Sequence, residues 1–331
     1  MQIHGETLRF GIHSGQQYHS FGDCLELWQT AERLGYDWIS LFDHLRPPMG
    51  GADGPCFEGP TLLAALARST HKIRCAILVS VVTWRHPAVA AAVAATIDHV
   101  SEGRLEFGVG AAGQDLAYAQ YGIPFPSARY RLDMLDESCH VMRSLWTRPR
   151  TDFTGKHFQL TAACLSPKPL QSRLPLVIGG DGERRMLRLV ARHADIWNAL
   201  AGTPGRYRHK LGVLRSHCAE VGRDIADIRK SVTFRAVLGE NEAEVNERLA
   251  QLRRIYPPES PIWPEFLVFG TPHQCVEALQ PYVEMGVGDF LLGARPPVDY
   301  RTLELFAEQV MPILRDAGAA RARRGTMRPH E

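Results

Sequence analysis

Short apolar runs alternate with amphipathic segments along this chain, and that alternation constrains its fold more than any other feature. The apolar runs start at Leu8, Tyr36, Lys72, Arg104, Pro175, Asp195, Ile228 and Val287. Between the first two lies "FGDCLELWQTAERLG", with Leu25, Trp28, Ala31 and Leu34 at helical spacing and Gly35 as a stop signal. Strands that alternate with helices pair in parallel and are covered by those helices. Eight such units favour a closed (β/α)8 TIM barrel over an open doubly wound sheet. Barrels of this kind usually need about 250 residues, so a chain of 331 carries insertions. Two are visible, Arg46 to Gly59 and Pro149 to Leu174, and "TDFTGKHFQL" in the second reads as a hairpin. The composition marks no linker. We therefore expect one barrel over residues 1–318 and a disordered basic tail, "ARARRGTMRPHE", within 319–331.

Charge and cysteine usage exclude several function classes. The net charge of +2, from 38 basic and 36 acidic residues, gives no footprint for nucleic acid or an anionic membrane. The seven cysteines are dispersed, odd in number and without a Cys-x-x-Cys pair, as expected of reduced thiols in the cytoplasm. "AVAAAVAATI" is too short to span a bilayer. The expected partner is a small-molecule substrate.

In a (β/α)8 barrel the chemistry sits where strands end and βα loops begin. The second strand ends on Asp43-His44 and runs into a Pro/Gly-rich loop. An imidazole there suits proton transfer, and its acidic neighbour could hold or tune it. The third strand, "VSVVTWRHP", supplies Ser80, Val81 and Thr83. "GVGAAG" after the fourth matches Gly-x-Gly-x-x-Gly in the wrong context for a dinucleotide fold. Its small residues, Gly110 among them, either let a flat ring lie against the strand end or form a simple turn. After the fifth strand, Gly179-Gly180-Asp181-Gly182 leads towards a helix, with Arg184 and Arg185 expected in its first turn. Glycine backbone at a helix N-terminus favours a phosphate, and the other reading is a tight βα turn with solvated arginines. No metal is expected: "GIHSG" lacks a His-x-His pair and the other histidines are scattered. No Gly-x-Ser-x-Gly elbow appears.

From "LRFGIH" to "FAEQVMPILRDAG" the chain resembles the bacterial luciferase-like superfamily, and within it the coenzyme F420-dependent oxidoreductases. The resemblance rests on "AERLGYDWISLFDH", "RHPAVAAAVAATIDHVSEGRLEFGVGAAG", "YGIPFPSARYRLDMLDESCHVMRSLW" and "PKPLQSRLPLVIGGDGERRMLRLVARHADIWN", in that order. It implies a barrel that holds a deazaflavin over its strand ends, with Asp43 beside the ring and His44 as proton donor or acceptor. It implies a bulge, often with a non-prolyl cis peptide, near Ser80-Val81 and Thr83. It implies a cofactor phosphate on Gly179 and Gly180, to which the loop's own residues add Asp181, Gly182 and Arg185 as cofactor-binding candidates. Some sugar-phosphate-oxidising members carry a glutamate just after strand four, where this chain has Ala111-Ala112-Gly113-Gln114. That departure argues for a different substrate. The alternatives are a flavin mononucleotide (FMN)-dependent monooxygenase and a non-catalytic cofactor-binding barrel. The resemblance also implies a homodimer through helices near "AVAAAVAATI".

Overall fold

Alternate residues of the first strand, β1 (Arg9–Ser14), have opposite fates: Phe10 and Ile12 face the surrounding helices, while Arg9, Gly11 and His13 face a closed interior. A computed structural model describes residues 7–48, 53–113, 117–255 and 267–326. In it β1 is followed by β2 (Trp38–Leu41), β3 (Arg74–Val81) and β4 (Leu105–Gly110). An antiparallel hairpin comes next, β5 (Thr151–Thr154) with β6 (Gln159–Ala163), as expected for the second insertion. Then come β7 (Leu176–Gly179), β8 (Ile196–Leu200), β9 (Arg229–Leu238), β10 (Leu267–Gly270) and β11 (Val287–Ala294). The order β9-β11-β1-β2-β3-β4-β7-β8 is parallel throughout, and pairing of β8 with β9 closes the ring. The expected eight-stranded (β/α)8 barrel is therefore the fold.

Besides the hairpin, β10 lies outside the eight barrel strands. The upper half of β9, Arg235 to Leu238, leaves β11 and pairs with β10. The ten residues of β9 thus serve the barrel below and a short flange above.

The helices follow local signals. In α1 (Phe21–Arg33), Ser20 and Asp23 form a reciprocal capping box, and Gly35 turns the chain with φ of +77°. Proline opens α2 (Gly59–Arg68) and α3 (Pro87–Val100), where its missing N–H costs nothing. The alanines of α3 let α5 (Ala128–Thr147) approach closely enough for the Trp146 indole to donate to Ala91 O at 3.0 Å. The small-residue run thus packs within the chain. A short α4 (Ala117–Gln120) precedes α5, and α6 (Met186–His193), α7 (Pro204–Glu220), α8 (Glu242–Ile255) and α9 (Pro272–Glu284) cover the later strands.

Two expectations need correction. The last helical pattern is α10 (Tyr300–Leu305), a π turn (Phe306–Val310) and α11 (Met311–Thr326). Pro312 lacks an N–H and its ring crowds the preceding turn, so the wider turn sits just before it. The tail expected to be disordered from 319 is helical to Thr326, because alanine and arginine are strong helix formers; residues 327–331 lie outside the described ones. Helix α6 also starts at Met186, after a turn in which Leu187 N–H reaches Gly182 O at 3.0 Å. Arg184 and Arg185 therefore precede the helix instead of forming its first turn.

The interior is layered. At the floor Arg9 bridges Glu106 (2.6 Å) and Asp289 (2.6 Å), Arg74 reaches Glu106 (2.7 Å) and Arg229 reaches Asp289 (2.5 Å). Above it an apolar plug of Trp38, Ala76, Leu78, Val177, Ile196 and Leu291 fills the middle. Gly11 makes room for it, since a Cβ there would lie 2.5 Å from the Trp38 ring. The top layer is small and polar, with Ser40, Asn198, Ser231 and Thr233.

Burial alone would raise the Glu106 pKa, but Arg9 and Arg74 outweigh it and hold the carboxyl down at about 2. A depressed carboxyl stabilises the fold above its unfolded pKa and loses that contribution as pH falls towards the folded value. From 4.5 to about 2, that is on the order of 3 kcal/mol. Glu106→Gln should lower the unfolding free energy at pH 7 by about 3 kcal/mol in a urea titration, with the remaining acid sensitivity between pH 4 and 2 reduced. An unchanged midpoint and acid limb would show the floor to be energetically neutral.

Candidate active site

The apolar run of β2 ends at Leu41, and the chain leaves the sheet at Phe42, just before Asp43 and His44. Gln16 holds this exit by donating to Phe42 O at 2.6 Å. The two adjacent side chains then part. Asp43, 1% exposed, accepts from Ser80 Oγ (3.1 Å) and from both terminal nitrogens of Arg85, one of them at 3.2 Å. Arg85 in turn donates to Glu58, whose carboxylate also caps α2 through Thr61 N–H at 2.7 Å. Burial raises the Asp43 pKa and the Arg85 charge opposes it. Burial would lower the Arg85 pKa, but Asp43 and Glu58 more than offset this and it ends raised. Asp43 thus ties the end of β2 to the β3–α3 loop. The acid expected to tune His44 is already held by arginine and serine.

His44 is half-buried against Phe42 (ring centroids 5.2 Å apart) and edge-on to Trp84 at 6.3 Å. Trp84 in turn tilts against Tyr118 of α4 at 5.8 Å. Thr83 shares a 2.6 Å hydrogen bond with the Tyr118 hydroxyl and so braces this aromatic wall. The Trp84 indole N–H is buried with no hydrogen-bond partner among the described residues. Across the mouth stands His13, a residue sequence reasoning passed over. Burial, then Arg295 and His44, push its pKa down to about 3, and its Nδ1 lies 2.9 Å from Ser40 Oγ. The site therefore holds two imidazoles close enough to interact, of which His13 is neutral at physiological pH. The signal for His13 was its place near the end of β1, on the same face as Arg9 and Gly11.

The expected bulge exists but lies earlier. The β3–β4 register slips between Ile77 and Ser80, and the non-prolyl cis peptide joins Leu78 and Val79. Val81, offered from sequence as the prop, is a buried ladder residue opposite Gly110. The protruding side chain is Val79. A Cβ on Gly110 would sit 2.5 Å from Val79 Cγ2, and one on Gly179 would sit 3.0 Å from Val79 Cγ1. Both glycines are small because Val79 occupies the space between their strands, which neither the turn nor the phosphate reading anticipated.

The loop after β7 is more committed than its glycines suggested. Gly180, at φ +121°, spends its N–H on Asn198 O (3.0 Å), so that donor is taken up by the sheet. Asp181 pairs with Arg206 at 2.9 Å, and Arg185 pairs with Asp133 of α5 and donates to Arg129 O at 3.1 Å. Gly182 is exposed at the tip. Beside the mouth, a cavity of about 410 Å³ opens between β9, β11 and α8, lined by Arg235, Arg248, Gly293, Arg295 and Tyr300. Arg248 is neutralised there by Glu244 (2.8 Å) and Asp299 (2.6 Å). Gln114, after β4, lies outside the described residues, and Gly113 before it faces open space.

The family model described as luciferase-like monooxygenase matches residues 6–265. A F420-dependent glucose-6-phosphate dehydrogenase of Nakamurella multipartita is 27% identical, over 93% of this chain and 97% of its own. The pyrimidine monooxygenase RutA of Acinetobacter baylyi is 31% identical, over 69% of this chain and 62% of its own. Among solved structures, an F420-dependent secondary alcohol dehydrogenase in complex with an F420-acetone adduct superposes with a TM-score of 0.80 at 20% identity. That match covers 93% of this chain and 99% of the other.

The Val79 contact gives a test that needs no ligand. Gly110→Ala should cost about 1–3 kcal/mol of stability by overpacking. Val79→Ala in the same chain should recover most of that loss, because the clash is with this one side chain. Additive losses in a denaturant double-mutant cycle would disprove the contact.

Proposed function

We propose that this chain, which belongs to the luciferase-like monooxygenase family, is a coenzyme F420-dependent oxidoreductase that moves a hydride between the deazaflavin and a small organic substrate. The observation that carries this reading is the span of the likeness. The F420-dependent dehydrogenase matches end to end, whereas the pyrimidine monooxygenase matches only 62% of its own length. Two further features support it. The Val79 bulge, bare glycines on either side and a wall of Phe42, Trp84 and Tyr118 suit a flat ring, and the unpartnered Trp84 N–H offers it a donor. The dispersed cysteines, all present as thiols, fit a cytoplasmic enzyme.

When bound, the cofactor supplies the carbon that gives or takes the hydride. The chain's own residues do the rest. Val79, Gly110 and Gly179 provide the surface on which the ring rests, with Ser80, Val81 and Thr83 holding that surface in shape. Asp43 and Arg85 fix the loop that presents His44. His44 gives or takes the proton that the substrate oxygen or nitrogen needs as the hydride moves. His13, neutral and held by Ser40, serves as a hydrogen-bond partner and not as a second charge. The cavity beside the mouth receives the substrate away from bulk water. Gly182 and the loop about Gly179, Gly180, Asp181 and Arg185 take the cofactor phosphate. Rotation of Arg185 or Arg206 away from its carboxylate would supply the positive charge. The residues after β4, Ala111 to Gly113, contain no carboxylate, which supports a substrate other than a sugar phosphate.

Fluorescence titration of the apoprotein decides between cofactors: F420 should bind tightly and FMN weakly. Tight FMN binding with strictly oxygen-dependent turnover would transfer the chain to the monooxygenase reading. His44→Ala should keep F420 affinity within a few-fold and lose on the order of 10²-fold in turnover. Unchanged turnover would make His44 a packing residue, and lost affinity would make it a binding one.

A further inference from the structure

Away from the barrel mouth, the α5–α6 contact assembles a second group of chemically capable side chains. Asp136 and His140 lie four residues apart on α5 and so share a face. His193 ends α6 and points at them: its Nε2 is 2.5 Å from Asp136 Oδ1, and its ring is edge-on to that of His140 at 4.6 Å between centroids. One ligand atom from each of the three lies within 4.8 Å of the other two. The chain separates Asp136 from His193 by 57 positions, which is why its histidines read as scattered. His140 and His193 both line a cavity of about 470 Å³ on the outer wall of the barrel, so the group is reached from solvent.

We propose that Asp136, His140 and His193 form a binding site for a divalent transition-metal ion of the zinc type. Two imidazoles and one carboxylate are a borderline-soft donor set. It suits Zn²⁺, Co²⁺ or Ni²⁺ and disfavours Mg²⁺ and Ca²⁺, which take oxygen ligands. Bonds of about 2.0–2.2 Å from a central ion to nitrogen and oxygen place ligand atoms a little over 3 Å apart. The Asp136–His193 contact of 2.5 Å therefore opens slightly on binding, and the His140 ligand atom already lies within 4.8 Å of both. The three residues leave at least one position for water from the cavity. Arg192, 3.2 Å from the other oxygen of Asp136 and 40% exposed, is the cation in direct contact with the ligand set. Arg143, Arg173 and Arg223 line the same cavity, and the first two are paired with Asp195. The site has a structural consequence. It staples the C-terminal end of α6 to the middle of α5, on the same stripe where Arg185 and Asp133 already join the loop after β7 to α5.

The test uses the untagged full-length protein, freed of metal. Co²⁺ titration should give visible d–d absorption that saturates at one equivalent and is displaced by Zn²⁺ but not by excess Mg²⁺. Zn²⁺ should raise the melting temperature. His140→Ala, a substitution at an exposed residue, should weaken Zn²⁺ binding at least about 10-fold, and Asp136→Asn should do the same. Arg192→Ala should tighten it. Absence of Zn²⁺ binding, or equal affinity in wild type, His140→Ala and Asp136→Asn, would overturn the proposal. Because the readout is metal affinity, it stands or falls independently of the F420 reading.

Discussion

Everything at the mouth of this barrel rests on ion pairs closed inside it. Arg9, on β1, touches acids on β4 and β11, and those acids collect further arginines from β3 and β9. Five of the eight barrel strands thus meet through one connected set of charges. Taking such charges out of water is expensive, and the attraction repays the cost only if every partner is in place. A register slip by one residue would carry Arg9 out among the helices and Phe10 into the charged layer. The floor therefore penalises wrong registers far more than an apolar layer would, and the plug above it inherits that register.

The same logic recurs at the top on a smaller scale. Asp43 is buried because Arg85 and Ser80 receive it, and Arg85 is held because Glu58 shares it. This chain of contacts joins β2, α2 and the β3–α3 loop behind the candidate proton carrier. His44 packs edge-on against Phe42 and Trp84. The buried charge that ties these elements together is therefore carried by Asp43 and Arg85 and not by the neighbouring imidazole.

The strand–helix alternation revealed the barrel, its eight strands and the hairpin insertion, because hydrophobic periodicity is a local signal. The sequence set Asp43 beside His44 but could not show that they face different partners, because the alternation of a strand no longer applies once the strand has ended. Val81 was offered where Val79 acts, because a bulge shifts the alternation and leaves no mark in the residue types. The glycines after the fifth strand marked a loop suited to phosphate but not that the Gly180 N–H joins Asn198 O, eighteen residues further on. Pro312 carried a legible cue for the irregular turn before it, and the cue was missed within a strong helical pattern.

The sequence by itself determined which segments become strands and helices, which of their faces are apolar, and that histidine and glycine gather at strand ends. Those properties depend on residues a few positions apart, and the alternation records them. Only the tertiary structure decided that Arg85 holds Asp43, that His13 is neutral beside His44, that two glycines flank Val79, and that Asp136, His140 and His193 converge. Each of these joins residues from separate elements, and the free energy of a buried charge, a close contact or a shared ligand site exists only once the ring has closed.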